Sequence, residues 1–101
     1  MRIVWTTQAQ EDLEAIYQYW LQMNETYATR LYNSLINEAD ILASQPKAGA
    51  LERLLEHIPG HYRSLLADKC HKLVYTIEGN DIVIHAVWDC RQNPDYLTSK
   101  I

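Results

Sequence analysis

Hydrophobic and polar positions follow two different periods along this chain. Ala9, Leu13, Ile16, Tyr17, Trp20 and Leu21 recur at spacings of three and four, which gathers them on one face of a helix. Thr7 followed by Gln10 fits a capping box, where a hydroxyl and an amide side chain satisfy the free N–H groups of a helix start. Glu11, Asp12 and Glu14 fall in the early turns, where the macrodipole favours negative charge. The first helix is therefore predicted from about Gln8 to Gln22. A break at Met23-Asn24-Glu25 precedes a second face made of Ala28, Leu31, Tyr32, Leu35, Ala39, Leu42 and Ala43. Pro46 stops it, because the residue before a proline is pushed out of the α region. Two amphipathic helices with a short connection make an α-hairpin.

From His71 onward the period drops to two. The runs His71–Glu78 and Asp81–Asp89 flank Gly79-Asn80, a strong short-range signal for a β-hairpin. Arg2–Thr6 is a short β-prone segment, and His61–Ala67 is a further strand candidate followed by a turn at Asp68-Lys69. Between Pro46 and Gly60, Leu51, Leu54, Leu55 and Ile58 suggest one or two helical turns. The order β-α-α-β-β-β predicts one α+β domain over residues 1–101, with the helical hairpin packed on one face of a mainly antiparallel sheet.

Register then decides which side chains meet. With Glu78 opposite Asp81, Leu73, Tyr75 and Ile77 share a face with Ile82, Ile84, Ala86 and Trp88, the face expected beneath the helices. Lys72, Val74 and Thr76 fall opposite, with Val83, His85, Val87 and Asp89. A tight turn near Asp68-Lys69 adds Arg63, set opposite Val74, to that outer face. The expected surface comprises Arg63, Lys72, His85 and Asp89, with Arg91 just beyond and an exposed strip of Val74, Val83 and Val87 beside it. Cross-strand charge pairing explains such residues as readily as a binding surface does, but the apolar strip favours docking.

Composition narrows what docks. The formal charge is −4, which argues against binding nucleic acid through bulk electrostatics. Eight acids against four Lys/Arg lie in residues 1–60, and five against five in 61–101, so the acidity belongs to the helical half. No apolar run reaches the roughly 18 residues of a membrane span, and no secretory signal opens the chain, so a cytoplasmic protein without membrane contact is expected. Cys70 and Cys90 lie near the open ends of the hairpin without paired zinc or redox spacing. Reduced packing cysteines are expected there, and no metal or cofactor. His57, His61, His71 and His85 show neither metallohydrolase nor triad spacing.

The element order, the helix start Ala9-Gln10-Glu11-Asp12-Leu13, the Arg63 strand, Lys72-Leu73-Val74-Tyr75 opposite Ile82-Val83-Ile84, and the closing Trp88-Asp89-Cys90-Arg91-Gln92-Asn93-Pro94 resemble the RelE/ParE superfamily of bacterial toxins from type II toxin–antitoxin modules. The resemblance spans nearly the whole chain. It implies a toxin neutralised by a cognate antitoxin. In the ParE branch, linked to plasmid stabilisation, the toxin blocks DNA gyrase; in the RelE branch it cleaves messenger RNA on the ribosome. Cleavage needs cations to hold the scissile phosphate and groups to move protons, for which the resemblance offers Arg63, Lys72, Arg91 and Tyr96. Asp89 stands where many relatives carry His, and a carboxylate there repels phosphate. With the acidic net charge, that departure favours the gyrase-binding reading, in which Arg63, Lys72 and Arg91 are interaction residues. The ribosome-dependent endoribonuclease is the alternative, and a non-toxic binding or regulatory module on the same fold is a third.

Overall fold

The computed structural model describes all 101 residues. Strand β1 (Arg2–Trp5) leads into helices α1 (Thr7–Met23) and α2 (Glu25–Ile41). Then come a two-residue strand β2 (Ala50–Leu51), a 3₁₀ turn at Arg53–Leu55, and strands β3 (Arg63–Leu66), β4 (His71–Glu78) and β5 (Asp81–Asp89). A short helix α3 (Asp95–Lys100) closes the chain. The sheet order is β1-β5-β4-β3-β2. β1 runs parallel to β5 and the other pairings are antiparallel. The expected α+β architecture is present, with β2 and α3 added to the expected order. No helix is long and apolar enough to cross a membrane.

The helix termini are set by residues that each satisfy two groups. Thr6, not Thr7, caps α1: its Oγ1 accepts from Ala9 N at 3.1 Å and donates to His85 O at 3.3 Å. Gln10 Nε2 donates to Trp5 O at 3.1 Å and accepts no backbone N–H, so Thr6 caps the helix alone and the expected Thr7–Gln10 capping box does not form. Asn24 donates its backbone N–H to Trp20 O at 2.7 Å, ending α1, while its side chain accepts from Tyr27 N at 3.0 Å to start α2. One residue therefore closes one helix and opens the next.

Two apolar clusters sandwich the sheet. Ala9, Leu13, Leu31, Leu35, Ala39 and Leu42 of the helices pack on Leu73, Tyr75, Ile82, Ile84 and Val87. On the other face, Val74, Ala86 and Trp88 are buried with Leu55 and Leu97. This corrects the predicted faces of β5. The hairpin starts in the expected register, Glu78 with Asp81, but an irregularity between Val74 and Tyr75 leaves His85 unpaired, with Tyr75 opposite Ile84 and Val74 opposite Ala86. A bulge of one residue exchanges the two faces beyond it. Ala86 and Trp88 consequently turn away from the helices, and Val87 turns beneath them.

The expected apolar strip is not on the surface: Val74 and Val87 are buried, the first covered by the 3₁₀ turn and α3, the second by the helices. Arg63 pairs with Tyr75, not with Val74. Its guanidinium donates to Gly49 O at 2.8 Å, while Tyr75 Oη accepts from Gly49 N at 3.0 Å and donates to Pro46 O at 2.7 Å. Gly49 is required at this crossing, because an added Cβ would lie 2.6 Å from Ser64 O and 2.8 Å from Tyr75 Oη. Arg63 and Tyr75 together fasten the segment between α2 and β2 to the sheet.

Candidate functional site

The residues expected to form one polar surface are distributed over three places. Arg63 is half-buried at the linker crossing described above. Lys72, opposite Trp88 on the outer face, forms an ion pair with Glu52, whose side chain is buried. Burial pushes the Glu52 carboxyl up, but hydrogen bonds from Lys72 and Leu54 N–H, with the lysine's charge, hold it below its ordinary value. The lysine ammonium is thereby committed to a carboxylate.

His85, the bulged residue, stays on the outer face. Its Nε2 lies 2.8 Å from Thr76 Oγ1, which itself donates to Glu78, so the imidazole is the donor in this chain of contacts. The ring sits edge-on to Tyr62 with centroids 5.1 Å apart. Burial lowers the histidine's pKa, opposed by the nearby Glu78 carboxylate, and the neutral ring is favoured.

Asp89 lies on the helix side, opposite His71. Arg91 grips it with both ends of its guanidinium, Nε to Oδ1 at 3.0 Å and Nη2 to Oδ2 at 2.7 Å, while Arg91 N donates to Oδ1 at 2.9 Å. These bonds hold the Asp89 carboxyl below its usual range and raise the arginine's pKa. The guanidinium carbon also stands 5.8 Å from the centroid of the Trp20 ring, within range of a cation–π contact. The sequence correctly brought Asp89 and Arg91 to the end of the sheet. Their mutual neutralisation could not be read from spacing alone.

Around this pair opens a cleft of about 340 Å³ between α1, the open end of the β4–β5 hairpin and the C-terminal helix. Asp12, Trp20, His71, Asp89, Arg91 and Lys100 contribute to its walls. Asp12 is buried, accepting from Val87 N at 3.0 Å, Gln8 Nε2 at 2.7 Å and Lys100 Nζ at 2.6 Å. It satisfies a strand N–H that lies beyond the end of β1, a role its position in an early helical turn did not reveal. His71 donates from Nδ1 to Asp68 Oδ1 at 3.0 Å, and the same oxygen accepts from Cys70 N and His71 N, each at 2.8 Å. His71 Nε2 is buried without a protein partner. Cys70, His71, Asp89 and Cys90 do not converge as a ligand set, since the histidine faces Asp68 and the aspartate faces Arg91. Tyr96 is largely exposed on α3.

A family model for the ParE toxin of the parDE type II toxin–antitoxin system matches residues 3–94. The chain belongs to the ParE toxin family. The fold is also similar to a solved structure of the chromosomal ParDE system from P. aeruginosa, at TM-score 0.71 and 22% identity, covering 88% of this chain and 95% of that one. A YoeB/ParE toxin from Agrobacterium tumefaciens gives TM-score 0.61 and 22% identity, over 88% and 98% of the two chains. A YoeB dimer from Staphylococcus aureus gives TM-score 0.57 and 29% identity, over 87% and 94%. No curated protein sequence matches the chain. The protein is thus a type II toxin of the RelE/ParE superfamily, as its sequence motifs implied.

Proposed function

We propose that this ParE-family protein arrests growth in the cytoplasm by binding DNA gyrase, without cleaving RNA, and that a cognate antitoxin neutralises it. The observation that carries this reading is the state of the three cations a nuclease would need. Arg63 is bonded to a backbone carbonyl, Lys72 to Glu52, and Arg91 to Asp89. A scissile phosphate would have to compete with two carboxylates for Lys72 and Arg91. A protein target needs no such release, because shape and paired polar groups suffice for recognition.

The antitoxin part of the reading draws on the relatives. One similar structure is a YoeB–YefM complex from Staphylococcus aureus, and another is a ParDE system. The decisive experiment runs two assays on the purified protein, supercoiling by gyrase and cleavage of a translated transcript. Inhibited supercoiling with an intact transcript supports the proposal. Ribosome-dependent cleavage that Arg63→Ala abolishes overturns it in favour of the endoribonuclease. Growth arrest on induction, relieved by co-expressing the adjacent reading frame, tests the antitoxin. Unimpaired growth without that frame would point to the non-toxic binding module.

A further inference from the structure

The two cysteines occupy facing positions on neighbouring chain segments. His71 and Asp89 are the outermost cross-strand partners of the β4–β5 hairpin, and Cys70 and Cys90 are the residues immediately beyond them on the two segments. Their backbones are joined by a hydrogen bond from Cys90 N to Cys70 O at 2.7 Å. Facing residues joined by such a bond have Cα atoms about 5.5 Å apart, inside the range of about 4.4–6.8 Å that a disulfide spans. Both thiols are free, Cys90 is exposed and Cys70 half-buried. No other cysteine competes for either one.

We propose that Cys70 and Cys90 form an oxidation site, closing reversibly into an intramolecular disulfide when a peroxide is present. Hydrogen peroxide oxidises the exposed Cys90 thiol to a sulfenic acid, releasing one water. The Cys70 thiolate then attacks that sulfur and a second water leaves. One peroxide is reduced to two waters, and two thiols lose two protons and two electrons in forming the S–S bond.

The surroundings set the pace of this chemistry. Burial raises the pKa of the Cys90 thiol, and the charges of Asp89, Cys70 and Glu52 add to that, against the opposing ammonium of Lys72. Because the thiolate is the reactive form, oxidation quickens as pH rises above neutrality. The bond would tie the strand ends together immediately before Arg91 leaves the sheet, restraining the Asp89–Arg91 pair at the mouth of the cleft.

The test uses the purified full chain, treated with hydrogen peroxide and analysed by mass spectrometry without reduction. The expected result is a loss of two hydrogens per chain, a linked peptide pair containing Cys70 and Cys90, restoration by dithiothreitol, and a higher midpoint of thermal unfolding in the oxidised form. Cys70→Ser should leave Cys90 as a sulfenic acid captured by dimedone, and Cys90→Ser should abolish the mass change. A covalent dimer, or overoxidised Cys90 with no linked peptide, would overturn the proposal. The native-chain result decides the matter even where a serine variant folds poorly.

Discussion

At the scale of single residues, the cations of this toxin do structural work, and their loss should be felt in stability first. Breaking a buried ion pair by removing one partner strands the other charge at a cost of about 3–5 kcal/mol, whereas replacing both with apolar groups is often neutral. Lys72 and Glu52 keep only 15% and 8% of their side-chain surfaces exposed. Lys72→Met is therefore expected to destabilise the fold by about 3 kcal/mol, and adding Glu52→Leu should recover most of it; urea unfolding of the single and double variants measures both. The carboxylates also fix the response to acid. Glu52, Asp68 and Asp89 have pKa values lowered by folding from ordinary values of 4.5, 3.8 and 3.8. For Asp68, burial works in the raising direction and is overcome by bonds from Cys70 N and His71. A depressed carboxyl contributes stability above its unfolded pKa and loses it as pH falls through the folded value. His85, lowered from 6.5 by burial, has the same sign: below 6.5 the unfolded chain binds the proton first. Thermal unfolding from pH 7 to pH 3 should show a decline that begins below pH 6.5 and steepens below about pH 4.5. A midpoint that rises on acidification would contradict it.

At the scale of elements, the outer face depends on a helix of only six residues. Leu97 of α3 is fully buried against Val74, Ala86, Trp88 and Leu55, so α3 is held by one leucine more than by its own hydrogen bonds. Leu97→Ala should cost about 2–4 kcal/mol and expose Trp88, read together as a lower denaturation midpoint and a red-shifted tryptophan emission. The same helix shows where the sequence became illegible. α1, α2 and the β4–β5 hairpin announce themselves because their apolar period holds over many residues, and Gly79-Asn80 marks the turn. In α3 only Tyr96 and Leu97 are apolar before Ile101, and adjacent positions set no period, while β2 has two residues. The bulge at His85 was hidden for a different reason. Val83 and Val87 are as apolar as Ile82, Ile84, Ala86 and Trp88, so alternation along β5 looks acceptable in either register. That one residue moved Asp89 from the expected outer face to the helix side, and with it separated the candidate site into a buried pair on one face and a cleft on the other. Asp89 and Arg91 were legible as residues leaving the sheet. Asp12, His71 and Lys100, which complete the cleft, come from three distant parts of the chain and had no shared motif to reveal them.

At the scale of the whole molecule, charge separates the two branches of toxin function. The protein carries a net −4, and its acids outnumber its bases most on α1 and α2, which lie on the opposite side of the sheet from Lys72 and His85. A toxin that grips nucleic acid through phosphates releases counterions, and one making 6–10 phosphate contacts loses about 10³–10⁵ in affinity between 50 and 200 mM salt. Here Lys72 and Arg91 are each already paired with a carboxylate, so few cations are free to neutralise phosphates and displace the counterions condensed on them. A gyrase binder of this charge is expected to keep its inhibitory potency within about tenfold across the same salt range, since contacts between two protein surfaces are screened only at their rims. Titrating supercoiling inhibition at 50, 100 and 200 mM salt, with each result normalised to gyrase activity in that buffer, measures the slope. A loss of a thousandfold would assign the binding energy to phosphates, and the gyrase reading would give way to recognition of RNA or DNA.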